Sequence, residues 1–190
     1  NLKRIGSIEL PKHEEIIGSE NEYFYRNKME FTFSNKRWLT LDEIRTEEEI
    51  SDKDALGFHV PNMFDKVIDL NNCYLQKEPS NSIRLSVKQF ADKNGLTYFD
   101  IRNHEGLLRN LLIRTSSTND LMVLVQFFED DKKSIDLLME HIKTSFPEIT
   151  SLLYIINQKA NNTMYDQEVI CCNGEDHIME EMDGLYFKIG

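Results

Sequence analysis

The chain has 190 residues, 40% of them hydrophobic and 29% charged, with a formal charge of −11 and a pI near 4.9. It is long enough for a proper core, as one domain or two small ones, but its negative charge argues against a stand-alone DNA or RNA binder, since phosphate affinity needs concentrated positive charge. No apolar run is long enough to cross a bilayer, no signal-peptide pattern opens the chain, and three cysteines (Cys73, Cys171 and Cys172) make no disulfide framework, so the expected setting is a reducing cytoplasm without membrane contact.

The chain opens at Asn1 without a methionine and stops at Gly190 just after an apolar strand-like segment. The expectation is a piece of a longer protein. Residues 1–22 read as an irregular entry segment broken by Gly6, Pro11 and Gly18. The organising strand follows over 23–34. Alternation puts Tyr25, Met29, Phe31 and Phe33 on one face and Arg26, Lys28, Glu30, Thr32 and Ser34 on the other. As a half-buried antiparallel strand it presents Arg26 and Lys28 side by side, about 7 Å apart. That outer face is either simply solvated or offered to an anionic or planar ligand.

Asn35-Lys36 supplies a turn, and Arg37-Trp38-Leu39 starts a returning strand. Residues 42–54 are dominated by acids. Without ligand-like spacing around a glycine turn they read as a solvated, mobile loop rather than a cation site. A strand over 55–60 is turned by Pro61-Asn62, and Val67-Ile68-Asp69-Leu70 and Asn72-Cys73-Tyr74-Leu75 follow. A helix is expected from Ser82, with Ile83, Val87, Phe90 and Ala91 at helical spacing and Asn94-Gly95 as its stop.

The second half is more strongly patterned. Residues 107–115 and 121–128 read as strands joined by the polar loop 116–120. Leu121-Met122-Val123-Leu124-Val125 is apolar on both faces, which places it centrally in a sheet covered on both sides. A helix over 132–146 carries Ile135, Leu138, Met139, Ile142 and Phe146 on one stripe, capped by Asp130 or Asp131 and ended by Pro147. Strands over 151–156 and 168–172 follow, then a hairpin of 177–181 and 185–189 about Asp183-Gly184. The sum is an α+β fold, an antiparallel or mixed β-sheet with helices packed on one face.

No dinucleotide fingerprint, phosphate loop or nucleophile elbow occurs. The five histidines, His13, His59, His104, His141 and His177, are scattered without metal spacing. Cys171 and Cys172 are adjacent and alternate to opposite faces, which does not make half of a metal site. By spacing alone Cys73 is a small buried residue. From the residues alone, this is a non-catalytic α+β module, and an acidic interaction or scaffolding role is open to it.

Several stretches nonetheless match, in order, one family. Leu2-Lys3-Arg4-Ile5-Gly6, Tyr25-Arg26-Asn27-Lys28-Met29-Glu30-Phe31-Thr32-Phe33-Ser34, Gly57-Phe58-His59, Phe64-Asp65-Lys66-Val67-Ile68-Asp69, Cys73-Tyr74-Leu75-Gln76, Phe99-Asp100 and Gly106-Leu107-Leu108-Arg109-Asn110-Leu111-Leu112-Ile113-Arg114 resemble the RNA (uracil-5-)-methyltransferases. These are S-adenosylmethionine-dependent enzymes acting on uracil C5 in 23S rRNA or tRNA. From Lys132 onward the resemblance is one of pattern only.

The resemblance implies that 1–190 is the central domain of such an enzyme, a strand meander plus helix over about 1–100 and strand pairs plus one helix over about 101–190. An N-terminal RNA-binding barrel and a C-terminal Rossmann-like catalytic domain then lie outside the chain, and with them the catalytic cysteine, the proton-abstracting glutamate and the S-adenosylmethionine site. The chain alone is therefore expected to be inactive. The resemblance also implies that Arg26 contacts structured RNA, 23S rRNA ahead of tRNA, near an extruded uridine, where a planar guanidinium can fork onto phosphate or stack on a base. Lys28 suits a neighbouring phosphate, and Arg109 and Arg114 are weaker candidates. Cys73 aligns with the fourth ligand of a 4Fe–4S cluster that many, not all, full-length members hold, although one thiolate assembles no cluster by itself.

Overall fold

The computed structural model describes residues 2–12, 14–46, 50, 53–161 and 163–190. His13 and much of the expected acidic loop (47–49, 51 and 52) lie outside the described residues. Among the described residues nine strands and three helices follow in the order β1 Lys28–Ser34, α1 Leu41–Arg45, β2 Ala55–Val60, β3 Met63–Asp69, α2 Ser80–Asn94, β4 Leu108–Thr115, β5 Leu121–Phe127, α3 Lys132–Ser145, β6 Ser151–Ile156, β7 Ile170–Gly174, β8 Ile178–Met182 and β9 Leu185–Ile189. Seven strands form one sheet in the order β3-β2-β1-β4-β5-β6-β7, while β8 and β9 pair separately. All neighbours in the large sheet are antiparallel except β5 and β6, which are parallel across the α3 crossover. The sheet is thus mixed, as the alternation of strand pairs with single helices implies.

Period-two patterning sorts the side chains into two layers. Met29, Phe31 and Phe33 of β1, Leu111 and Ile113 of β4, Val123, Val125 and Phe127 of β5, and Leu152 and Tyr154 of β6 form one core with Ile83, Val87 and Ala91 of α2 and Ile135, Leu138, Met139 and Ile142 of α3. Both long helices therefore lie on the same face. Each fully buried aliphatic chain in this layer contributes roughly 1.5–3 kcal/mol. On the other face Leu112, Met122, Leu124, Leu153 and Ile155 pack with Ile178 of β8, with Met164 and Ile189 at the margin. Every residue of β5 is buried, in keeping with its place under both layers.

The helix ends follow local chemistry. Asp131 accepts the Ser134 N–H at 3.3 Å and the Ser134 hydroxyl at 2.6 Å to cap α3. Gly95 ends α2 at φ 65°, a left-handed conformation that only glycine adopts without a Cβ penalty. Helix α1 falls in the stretch expected to be loop. A reciprocal box builds it, the Glu43 N–H donating to Thr40 Oγ1 at 3.3 Å and the Thr40 N–H to Glu43 Oε2 at 2.7 Å. The returning strand expected at Arg37-Trp38-Leu39 is a single parallel bridge from Arg37 to Val67. Among the described residues no helix is long and apolar enough to cross a membrane.

Candidate nucleic-acid interface

The organising strand is shorter than its alternation implies. It begins at Lys28, because the segment before it bonds elsewhere. The Phe24 N–H donates to Tyr74 O at 2.7 Å and the Arg26 N–H to Leu75 O at 2.9 Å. Asn27 O then takes the Thr115 N–H at 2.8 Å and Gln76 Nε2 at 3.1 Å, and Gln76 also donates to Ile113 O at 3.2 Å. Gln76 is thereby a buried clasp joining the 24–27 segment to the end of β4. Tyr25, expected on the core face, is exposed instead, since the chain joins the sheet only at Lys28.

This geometry separates the two cations. Arg26 is exposed and lines a hollow of about 340 Å³ with Tyr25, Lys77, Thr115, Ser116 and Glu180. Lys28 is exposed on β1 and stands in register with Arg114 on β4. The pair borders a groove of about 630 Å³ on the sheet face opposite the helices. The floor of that groove is apolar (Leu112, Met122, Leu124 and Ile155), and its far wall is the 163–169 loop with Tyr165. Glu30 adds an acid beside the cations and is held by Asn110 Nδ2 at 2.7 Å. Arg26 and the Lys28–Arg114 pair thus line two different concavities.

Arg109 is not a surface cation. A register shift between Leu108 and Asn110 takes it out of the strand alternation, and it is buried. Its guanidinium donates to the carbonyls of Asn157 and Lys159, each at 2.7 Å, and of Asn161 at 2.9 Å, and lies 4.7 Å from the Phe99 ring centroid. Burial pulls its pKa below the usual arginine value. Its role is to fasten the loop that leads into the groove wall.

Arg84 was not singled out by the sequence reading. Fully buried on α2, it donates to the carbonyl of Leu70 and, at 3.2 Å, to that of Asn71, with the Phe31 ring 5.5 Å away. Its spacing to Val87 and Ala91 places it on the apolar stripe, a signal available in the sequence. Together with Asn81 it fixes the segment that carries Cys73 and Tyr74: Asn81 Oδ1 accepts the Cys73 N–H at 2.9 Å, and Asn81 Nδ2 donates to Cys73 O at 3.0 Å.

No family model matches the chain. Relatives do. An uncharacterized RNA methyltransferase of Bacteroides thetaiotaomicron is 51% identical over 193 residues, one of Porphyromonas gingivalis 47% over 194, and one of Chlorobaculum tepidum 34% over 192, each across 100% of this chain. Over its whole length the chain is similar to part of these RNA methyltransferases. It spans 40–42% of the length of these three relatives. The fold also matches the crystal structure of Pyrococcus abyssi tRNA (uracil-54, C5)-methyltransferase in complex with S-adenosyl-L-homocysteine, with a TM-score of 0.65 and 21% identity over 99% of this chain and 39% of that one.

The resemblance implies two groups, a four-iron cluster and S-adenosylmethionine. Cys73 is buried in the helix-side core, and Cys171 and Cys172 lie on β7, at the opposite edge of the sheet from β3. One thiol does not hold a four-iron cluster, so these residues alone do not fit one. Among the described residues the grouping of potential metal ligands is Glu175, Asp176 and His177, on the surface after β7. Nor does the β5–α3 turn fit S-adenosylmethionine. The turn from β5 into α3, the place where a βαβ unit presents a glycine-rich loop, reads Phe128-Glu129-Asp130-Asp131. Its Glu129 is engaged by the Gly106 N–H at 2.8 Å and its Asp131 by the helix cap.

Proposed function

We propose that the protein containing this chain transfers a methyl group from S-adenosylmethionine to uracil C5 in structured RNA in the cytoplasm, 23S rRNA ahead of tRNA, and that this chain orients the RNA while the reacting groups lie outside it. The observation that carries the reading is the placement of Arg26, Lys28 and Arg114 on a rigid frame at the rims of two neighbouring concavities. The Gln76 clasp fixes the backbone between them, so the cations are presented from an ordered support. Each can neutralise an RNA phosphate, and the flat guanidinium of Arg26 can also stack on an extruded base.

The 51% identity to an uncharacterized RNA methyltransferase supports methyl transfer to RNA as the reaction class. S-Adenosylmethionine supplies the methyl group, and this chain's residues bind and orient. In a filter-binding titration at low salt the protein is expected to bind a structured rRNA fragment, with Arg26→Ala weakening binding about tenfold. No detectable binding would overturn the orienting role. Methyl transfer catalysed by these 190 residues alone would overturn the placement of the chemistry elsewhere.

A further inference from the structure

Where the 23–26 segment meets the 74–77 segment, four aromatic rings remain on the surface. Tyr23, Phe24, Tyr25 and Tyr74 are 61, 40, 56 and 59% exposed. Tyr74 is flanked edge-on by Tyr23, with centroids 6.0 Å apart, and by Phe24 at 6.2 Å. Large apolar rings clustered outside the core mark a recognition surface more often than scattered ones do. Phe24 also has φ 56°, a left-handed conformation that is rare for a bulky residue and persists where the surroundings hold it. Here its N–H bond to Tyr74 O does the holding.

Two hollows adjoin at this point. One, of about 400 Å³, is lined by Tyr74, Asn72 and Asn81; the other is the Arg26 hollow of about 340 Å³, and Phe24 and Lys77 line both. Each lies within the ~300–1,000 Å³ range of small-ligand sites. Among the described residues neither Arg26 nor Lys77 forms an ion pair. The two carboxylates nearby are engaged by main-chain donors, Glu78 by the Ser82 N–H and Glu180 by the Ser117 N–H, each at 3.0 Å. On a chain of charge −11, two such cations beside exposed rings suit a polyanion whose units carry flat aromatic groups.

We propose that Phe24 and Tyr74 form a stacking platform for unpaired bases of a single-stranded RNA segment, with Lys77 taking the phosphate between the two hollows and Arg26 the next. The proposal rests on the RNA reading above and adds that the bound RNA is unpaired at this point. Stacking of this kind is tolerant of base identity, because every base has a π-face.

The test is fluorescence anisotropy with a short labelled single-stranded RNA and with the duplex of the same sequence. Tyr74→Ala is expected to weaken single-strand binding about tenfold and leave duplex binding unchanged. Tyr74→Phe should keep the wild-type affinity, since the ring and not the hydroxyl is used. Tyr74 is exposed, so these variants are expected to fold, which circular dichroism checks. Wild-type affinity in Tyr74→Ala alongside weakened binding in Lys28→Ala would overturn the platform and leave the RNA reading standing. Loss of self-association in Tyr74→Ala without loss of RNA affinity would make the patch a protein contact and likewise overturn it. A wild-type protein that binds neither RNA would remove the RNA reading and the platform together.

Discussion

Asp100 offers a direct check on how this fold is held together. Its carboxylate, 4% exposed, accepts Lys36 Nζ at 3.0 Å, Asn35 Nδ2 at 3.1 Å, the N–H groups of Arg102 at 2.8 Å and Asn103 at 3.1 Å, and Asn103 Nδ2 at 3.3 Å. Burial alone would raise its pKa. The hydrogen bonds from Lys36, Asn35 and the two main-chain donors outweigh burial and hold the carboxyl well below the usual carboxylate range. Asp100→Ala strands these donors and unpairs a partly buried ammonium, for which a loss of about 3 kcal/mol is expected. For a domain of this size that lowers Tm by about 6–12 °C.

The sign of the pH effect follows from the depressed pKa. The stabilisation is complete above the unfolded-state pKa of about 3.9 and is lost as pH falls below that towards the folded value. The gap in stability between wild type and Asp100→Asn should therefore be constant near neutral pH and close progressively below about pH 4. Calorimetry across this range measures it. A gap under about 1 kcal/mol at pH 7, or one that stays constant into acid, would refute the reasoning.

Two further substitutions test the site's supports. Arg109→Ala removes the donors to three carbonyls and should cost about 3 kcal/mol, with faster hydrogen exchange in the 157–161 loop; Arg109→Lys should not rescue it, because a lysine cannot fork onto several carbonyls at once. Unchanged exchange would show that the loop is held by other contacts. At Gly57 an added Cβ would lie 1.9 Å from Ile68 O on the neighbouring strand, so Gly57→Ala should force β2 and β3 apart and cost about 2–3 kcal/mol in denaturant unfolding. An alanine variant as stable as the wild type would mean that the close approach of the two strands is not required.

Much of the fold is legible in the sequence because its elements carry strong, local patterns. The apolar Leu121–Val125 run of β5, the α3 stripe with its Asp131 cap and Pro147 stop, and the β8–β9 hairpin about Asp183-Gly184 are each specified by residues adjacent in the chain. Legibility fails where non-local bonding decides. Residues 24–26 continue the alternation of β1 on paper, but their main-chain donors pair with the 74–75 segment instead, which exposes Tyr25 and parts Arg26 from Lys28. Arg109 looks like a surface cation until the strand irregularity beside it is known.

Other signals were present and unread. The Thr40/Glu43 box marks α1, and the run Tyr23-Phe24-Tyr25-Arg26 interleaves aromatic rings with a cation in the manner of an RNA-stacking surface. The partners Tyr74 and Lys77 lie some fifty residues away, and only the folded chain brings them to the same place.

The orienting role proposed for this chain depends on RNA contact through Arg26, Lys28 and Arg114. The salt dependence of RNA binding tests it most directly, since each phosphate contact removed lowers the slope of log K against log salt by about 0.7–0.9. The triple variant R26A/K28A/R114A is expected to bind more weakly with a slope smaller by about 2–3. Identical slopes and affinities for variant and wild type would contradict the claim.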